Sequence, residues 1–358
     1  MPRSLSTPLT QRLGIALPIV QGPMNGGSTP EMVIAVSNAG GLGSLAAAGL
    51  SPDAIRAQAA TIRAGTSKPF AINLFVLDTP APSEAEVNAA LERLEPIRAE
   101  LGLAPGQPLA RYCEDFRQQL EALIALKVPV ASFTFGLLDA PSVKRLHDAG
   151  SLVIGTATSV AEARAWAANG ADIICAQGAE AGGHRGTFLG HPDASMIGTL
   201  ALVPQIADAV PLPVIAAGGI MDGRGIAAAL TLGAQAAQLG TAFLTSAESP
   251  IHPLWQAQIR ESTDTSTRTS RTFTGRPARG IVNHYIERMV EFEREVPAYP
   301  IQNALTAEIR KAAGAANRPD FISMWAGQAA GLSRRRDHGI PAGALVHALA
   351  EETVAAFG

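Results

Sequence analysis

Short apolar runs, each closing near a Gly, Asn or Gln and each followed by a helical pattern, recur from residue 18 to residue 243. They occupy residues 18–24 (PIVQGPM), 43–47 (GSLAA), 70–76 (FAINLFV), 130–136 (VASFTFG), 152–157 (LVIGTA), 172–178 (DIICAQG), 214–220 (VIAAGGI) and 236–243 (AAQLGTAF). None alternates apolar with polar positions, which is what a parallel sheet covered on both faces requires. The helical patterns between them carry start and stop signals. Ser28-Thr29-Pro30-Glu31 opens one that closes at Asn38-Ala39-Gly40, and Ser51-Pro52-Asp53 opens the next with Pro in the first turn. Residues 159–169 stop at Gly170, and residues 222–232 stop at Gly233. Eight strand-then-helix units in a row predict an α/β fold, the (β/α)8 TIM barrel.

Two stretches fall outside this repeat. Residues 80–126 read as a helical insertion after the third strand, broken by Pro96 and by Pro105-Gly106-Gln107-Pro108. Residues 246–320 are more polar and include Gly275-Arg276-Pro277-Ala278-Arg279, equally readable as an anion contact or a rigid turn. The expected organisation is a barrel in two parts (1–79 and 127–245), the insertion (80–126), a smaller, mainly helical cap (246–320) and C-terminal helices returning to the barrel (321–358). A length of 358 residues suits this arrangement, since a barrel takes ~250 residues as one domain.

Composition narrows the function classes. With 47% hydrophobic and 16% charged residues the chain buries much of itself, which excludes a disordered scaffold. A net charge of -3 and a single basic triplet, Arg334-Arg335-Arg336, argue against a nucleic-acid partner. That triplet reads as the solvated face of a terminal helix. Cys113 and Cys175 cannot build a disulfide framework, so a reducing compartment is expected. No apolar run approaches the ~18–20 residues of a membrane span, and residues 1–14 lack a signal-peptide core. A cytoplasmic protein without a membrane partner is the expectation.

Functional groups of such a barrel lie where strands run into helices. After the seventh run stand Gly218 and Gly219, then Asp222-Gly223-Arg224-Gly225 opening a helix; the eighth runs through Gln238, Leu239, Gly240 and Thr241. These last two turns are the usual phosphate cradle, because glycines let oxygens approach backbone N–H groups and a helix start favours the anion. The sixth run leads into residues 180–186 (EAGGHRG), where Gly182 and Gly183 would let a flat ligand lie on the backbone. His184 beside it can titrate near neutrality. Four amides, Gln21, Asn73, Gln177 and Gln238, also fall at strand ends. Amides offer donor and acceptor together, as the edge of an isoalloxazine requires, and one or two of the four would merely satisfy loop backbone.

Other chemistries fit less well. Residues 41–46 (GLGSLA) match the dinucleotide fingerprint, but a helix precedes them, a strand follows, and the required acid is missing. His184, His191 and Asp193 lack any metal-ligand spacing, so no metal is expected. No G-x-S-x-G element is present.

Residues 21–24 (QGPM), 37–43 (SNAGGLG), 73–75 (NLF), 180–186 (EAGGHRG), 217–219 (AGG), 238–243 (QLGTAF) and 325–328 (WAGQ) resemble the nitronate monooxygenases, in particular their class I branch. The resemblance spans residues 21 to about 328. It implies non-covalent FMN held by Asn73, Gln177, Gly182, Gly219 and Gln238 through Thr241, with Gly22, Met24 and Gln328 as flavin neighbours. His184 matches the family's active-site histidine, Tyr299 of the Tyr299-Pro300 motif its substrate pocket, and Tyr112 a counterpart from the insertion. The implied partners are a small nitronate and O2, giving a carbonyl compound and nitrite. Some class I enzymes follow the Tyr-Pro motif with Tyr and Lys for the carboxylate of propionate 3-nitronate. Residues 301–308 (IQNALTAE) hold neither, which counts against carboxylate-bearing substrates and leaves simpler alkyl nitronates or an unknown substrate open. The same superfamily contains FMN-dependent NAD(P)H reductases of enoyl-acyl-carrier or quinone substrates. Outside it stand a non-redox barrel isomerase using the cradle for substrate phosphate, and a flavin-carrying binding module.

Overall fold

The computed structural model describes residues 5–358; residues 1–4, where the predicted first barrel segment begins, lie outside them. Each apolar run forms a strand: β1 (Ile19–Gln21), β2 (Gly43–Ala46), β3 (Phe70–Phe75), β4 (Val130–Thr134), β5 (Leu152–Ala157), β6 (Ile173–Gln177), β8 (Val214–Ala217) and β9 (Ala236–Leu239). A two-residue strand, β7 (Gly183–His184), falls between them and belongs to another sheet. The eight barrel strands pair in parallel in the order β1-β9-β8-β6-β5-β4-β3-β2, and a parallel bridge from Val20 to Leu42 closes the ring. This is the (β/α)8 barrel that the pattern predicts.

Local chemistry places the helices. Ser51 caps helix Pro52–Gly65 by accepting from Ala54 N, a contact worth about 1 kcal/mol. The helix then buries Ile55, Ala59 and Ile62 along one stripe against the sheet. On β5 only glycine fits at position 155: a Cβ there would stand 2.2 Å from the fully buried Trp166 ring of the following helix. The last helix, Ala342–Ala356, packs on Gly223–Thr231 and Pro30–Asn38. Among the described residues no helix is long and apolar enough to cross a membrane.

A second apolar cluster sits beside the barrel core. Val87, Leu94 and Ile97 of helix Glu84–Glu100 pack there with Ile251, Leu305, Ile309 and Phe321, so the insertion and the segment after β9 share one core. That packing explains a correction: Pro96 does not break the insertion helix, which runs through it to Glu100. A mid-helix proline costs ~3 kcal/mol, and the buried apolar face around it offsets that. The same region adds strands β10 (Thr267–Ser270) and β11 (Ala278–Ile281), which pair antiparallel with each other and, through β11, with β7. The basic triplet is not a helix face either. It ends a 3-10 turn, and Arg336 forks onto Glu352 of the last helix at 2.8 and 2.9 Å.

Candidate active site

The C-terminal ends of the barrel strands open into one cleft, with about 1290 Å³ of empty space including its mouth. Its floor is polar. Asn73 Nδ2 donates to Ser132 Oγ at 3.0 Å, and Thr134 Oγ1 lies 3.3 Å from Thr156 Oγ1. Cys175 also faces the cleft, but burial pushes its thiol up to about 12, so it carries no nucleophile there.

The expected anion cradle falls at one end of the cleft, on two glycine turns. Gly218 and Gly219 turn with φ of 116° and 71°, values that side chains resist. Their N–H groups, and that of Gly240, find no protein partner among the described residues. Thr241 Oγ1 accepts from Gly327 N at 2.9 Å and keeps its proton to give. The helix expected to help does not. Gly223–Thr231 has its first N–H groups taken by Asp222, which caps Arg224 and Gly225, and by Glu352, which accepts from Gly223 N at 2.9 Å. The cradle is therefore made by the two turns alone.

The four amides divide in two. Gln21 is fully buried and ties Ser28 and Ser44, while Gln177 donates to His184 O at 3.0 Å and accepts from Gly186 N at 2.7 Å. Both therefore hold loop backbone. Among the described residues Gln238 lines the cleft with its amide unpartnered, and Asn73 keeps its carbonyl oxygen free.

The 180–186 loop is held by its own charged residues. Glu180 accepts from Thr199 N and caps helix Thr199–Ala209, whose Gly198 has no side chain to do so. Arg185 is buried on the carbonyls of Gln177, Ser195 and Thr158. His184 sits in β7 opposite Ala278 of β11, with Nε2 3.0 Å from Thr274 Oγ1. Around it stand Tyr299, Phe135, Trp325 and Phe75, with ring centroids 5.1, 5.4, 5.7 and 6.2 Å away. Burial first, then the guanidinium groups of Arg276 and Arg310, push its pKa down to about 3. The imidazole is neutral throughout the physiological range.

Among the described residues those arginines have no carboxylate partner. Arg276 donates to the carbonyls of Arg185 and Thr187 and lies 3.9 Å over the Phe135 ring; burial lowers its pKa to about 10. Arg310 donates to Asn303 O at 2.6 Å. Phe135 itself has φ of 79°, a left-handed backbone that a bulky residue adopts only under constraint. The 275–279 run is thus a rigid, hydrogen-bonded turn whose Arg279 also donates to Ala179 O at 3.0 Å.

Of the residues singled out from sequence, Gly22, Met24, Asn73, Gln177, Gly182 and Gly183 line the cleft, as do His184, Gly218, Gly219, Gln238, Gly240 and Thr241. Four do not. Leu239 is buried in the layer between sheet and helices, and its carbonyl accepts from Gly22 N at 2.7 Å. Gln328 is exposed, with its N–H on Glu180 O. Tyr299 packs one layer behind, on His184. Tyr112 lines a separate cavity between residues 79–87 and 108–112. His191 and Asp193 lie exposed on the following loop, away from the half-buried His184.

Sequence reasoning missed the hydroxyls Ser132, Thr134 and Thr156, although they end strands four and five. It also missed Trp255, a cleft residue whose buried indole N–H has no partner, and Thr274, which meets His184 only through tertiary structure.

An eight-stranded barrel with glycine turns after its last two strands and a half-buried, neutral imidazole lining its cleft is the framework of a barrel enzyme. The family model of nitronate monooxygenase matches residues 6–352. A protein named probable nitronate monooxygenase from Staphylococcus aureus strain MRSA252 is 44% identical over 91% of this chain and 92% of its own. Among solved structures, nitroalkane oxidase from Streptomyces ansochromogenes superposes with a TM-score of 0.89 at 40% identity, covering 98% of this chain and 99% of that one. FabK from Thermotoga maritima follows at 0.75 and 30%, covering 97% and 96%. The chain belongs to the nitronate monooxygenase family, and it is an oxidoreductase.

Proposed function

We propose that the cleft binds FMN and that the protein converts alkyl nitronates with O2 to a carbonyl compound and nitrite. The donor set supports FMN. A single phosphate suits the N–H groups of Gly218, Gly219 and Gly240 with the Thr241 hydroxyl. Gln238 and Asn73 offer unpaired amide atoms to the ring edge, and the indole N–H of Trp255 is a further unspent donor. Gly22, Met24, Gly182 and Gly183 line the space a flat ring would take. Gln177, Leu239 and Gln328 serve through the backbone they hold or present. FMN, when bound, supplies the electron transfer from nitronate to oxygen.

The observation that carries the reading is His184: a neutral imidazole lining the cleft, beside two half-buried arginines, Arg276 and Arg310, that pair with no carboxylate among the described residues. A neutral imidazole can take the α-proton of a nitroalkane, and the nearby positive charge favours the nitronate anion that results. Tyr299 and Phe135 pack on that imidazole and fix its place in an apolar wall. Tyr112, in its separate cavity, would reach substrate only from the insertion side. Ile301 and Leu305 are buried where a carboxylate-binding Tyr or Lys would be sought, which supports simple alkyl nitronates over propionate 3-nitronate.

The test is the visible spectrum of the purified protein and the nitrite it releases from ethyl and propyl nitronates, with and without NADH. A yellow protein that yields nitrite without NADH supports the proposal. A colourless protein favours a phosphate-binding isomerase, and a yellow one without nitrite overturns the assigned reaction.

A further inference from the structure

We propose that Thr274 is a positioning residue that holds His184 in the Nε2–H tautomer, leaving Nδ1 as the nitrogen that receives the substrate proton. This rests on the reading of His184 as the base.

The Thr274 hydroxyl has one proton and three neighbours. It donates to Arg276 O at 3.1 Å, Arg276 N donates to it at 3.4 Å, and His184 Nε2 lies 3.0 Å away. With its proton committed to the Arg276 carbonyl, Oγ1 faces the imidazole as an acceptor, so Nε2 must carry the hydrogen. In the opposite tautomer the hydroxyl would have to turn to Nε2. The Arg276 carbonyl would then lose its donor inside the turn, at the cost of an unpaired polar group. Nδ1 has no partner among the described residues. In the assigned step the C–H bond next to the nitro group breaks. Its electron pair stays on the substrate as the nitronate, and its proton bonds to Nδ1. Nε2–H remains on Thr274 throughout.

The turn that carries Thr274 is itself fixed. Thr274 N donates to Arg271 O at 3.1 Å, and Arg185 N, next to the imidazole, donates to Pro277 O at 2.8 Å. Thr274 is 1% exposed, so no water competes for its hydroxyl. The charged groups facing the imidazole are Arg276 and Arg310; neither contacts its nitrogens.

The experiment compares wild-type holoenzyme with Thr274→Val, which keeps the shape and loses the hydroxyl, and Thr274→Ser, which restores it. Two readouts are taken: the ratio of kcat/KM on neutral nitroethane to that on ethyl nitronate, and the tautomer from ¹⁵N-imidazole NMR at pH 7. The ratio should fall about tenfold or more in Thr274→Val and recover in Thr274→Ser, because only the neutral substrate needs a base. The NMR should show protonated Nε2 in wild type and a tautomer mixture in Thr274→Val. An unchanged ratio, or Nδ1–H as the wild-type tautomer, overturns the proposal. Wild-type protein inactive on both substrates counts against the function, while the NMR still decides the tautomer.

Discussion

The ring of Tyr299 meets the imidazole of His184 edge to face, with centroids 5.1 Å apart and planes at 70°. Tyr299 does not itself line the cleft, so its effect on chemistry passes through the imidazole it covers. The Tyr299 hydroxyl has no hydrogen-bond partner among the described residues, which leaves the ring as the part that acts. Tyr299→Phe should therefore keep kcat/KM within about threefold, a fraction of a kcal/mol. Tyr299→Ala should admit water and raise the His184 pKa toward its ordinary 6.5, since desolvation is the first cause of its depression. NMR titration of the imidazole in the two variants checks this.

Acid should destabilise the fold through the same residue. His184 titrates near 3 when folded and near 6.5 when free. Between those values the unfolded chain binds a proton here and the folded chain does not. Stability is thus intact above about pH 6.5 and falls as pH drops toward 3, by at most ~1.4 kcal/mol per pH unit. Unfolding curves of His184→Gln should show a shallower acid limb than wild type. The same variant should retain cofactor and lose about 10²- to 10⁴-fold in turnover of nitroalkanes.

Gly275 ties the two walls of the pocket together. Its φ is 83°, and a Cβ there would stand 2.0 Å from Pro297 O and 2.7 Å from Tyr299 N. Gly275→Ala should push the Thr274 turn away from Tyr299, costing about 2–3 kcal/mol from strain and overpacking. Thermal unfolding together with kcat measures both consequences.

The cradle predicts a defect in binding rather than in chemistry. A Cβ on Gly218 would lie 3.0 Å from Thr199 Oγ1 and 3.1 Å from Gly178 O, with φ at 116°. Gly218→Ala should shift the turn and weaken FMN binding by about tenfold, ~1.4 kcal/mol, with less effect on kcat at saturating FMN. Fluorescence titration of apoprotein with FMN reads the change.

Much of this is legible in the sequence. All eight barrel strands are continuous apolar runs because both faces of the sheet are covered, and a run with no alternation is visible in one dimension. The glycine turns at 218–219 and the 180–186 loop were visible for a similar reason, since glycine is the local solution to a local backbone demand. Pro96 misled because its cost is local while the packing of Leu94 and Ile97 that offsets it is tertiary. Gln177 and Gln238 look alike in sequence, yet one holds a loop and the other faces the cleft; only the fold decides where an amide points. Thr274 lies 90 residues from His184 in sequence, and nothing in the chain marks it as the imidazole's partner.

The central claim is that this cleft oxidises nitronates through a bound flavin, and anaerobic reduction tests it most directly. Mixed with ethyl nitronate in the absence of oxygen, the purified yellow protein should lose its flavin absorption, and admitting air should restore the colour with release of nitrite. Colour that persists with nitronate but bleaches with NADH or NADPH would contradict the account and make the protein a pyridine-nucleotide-dependent reductase.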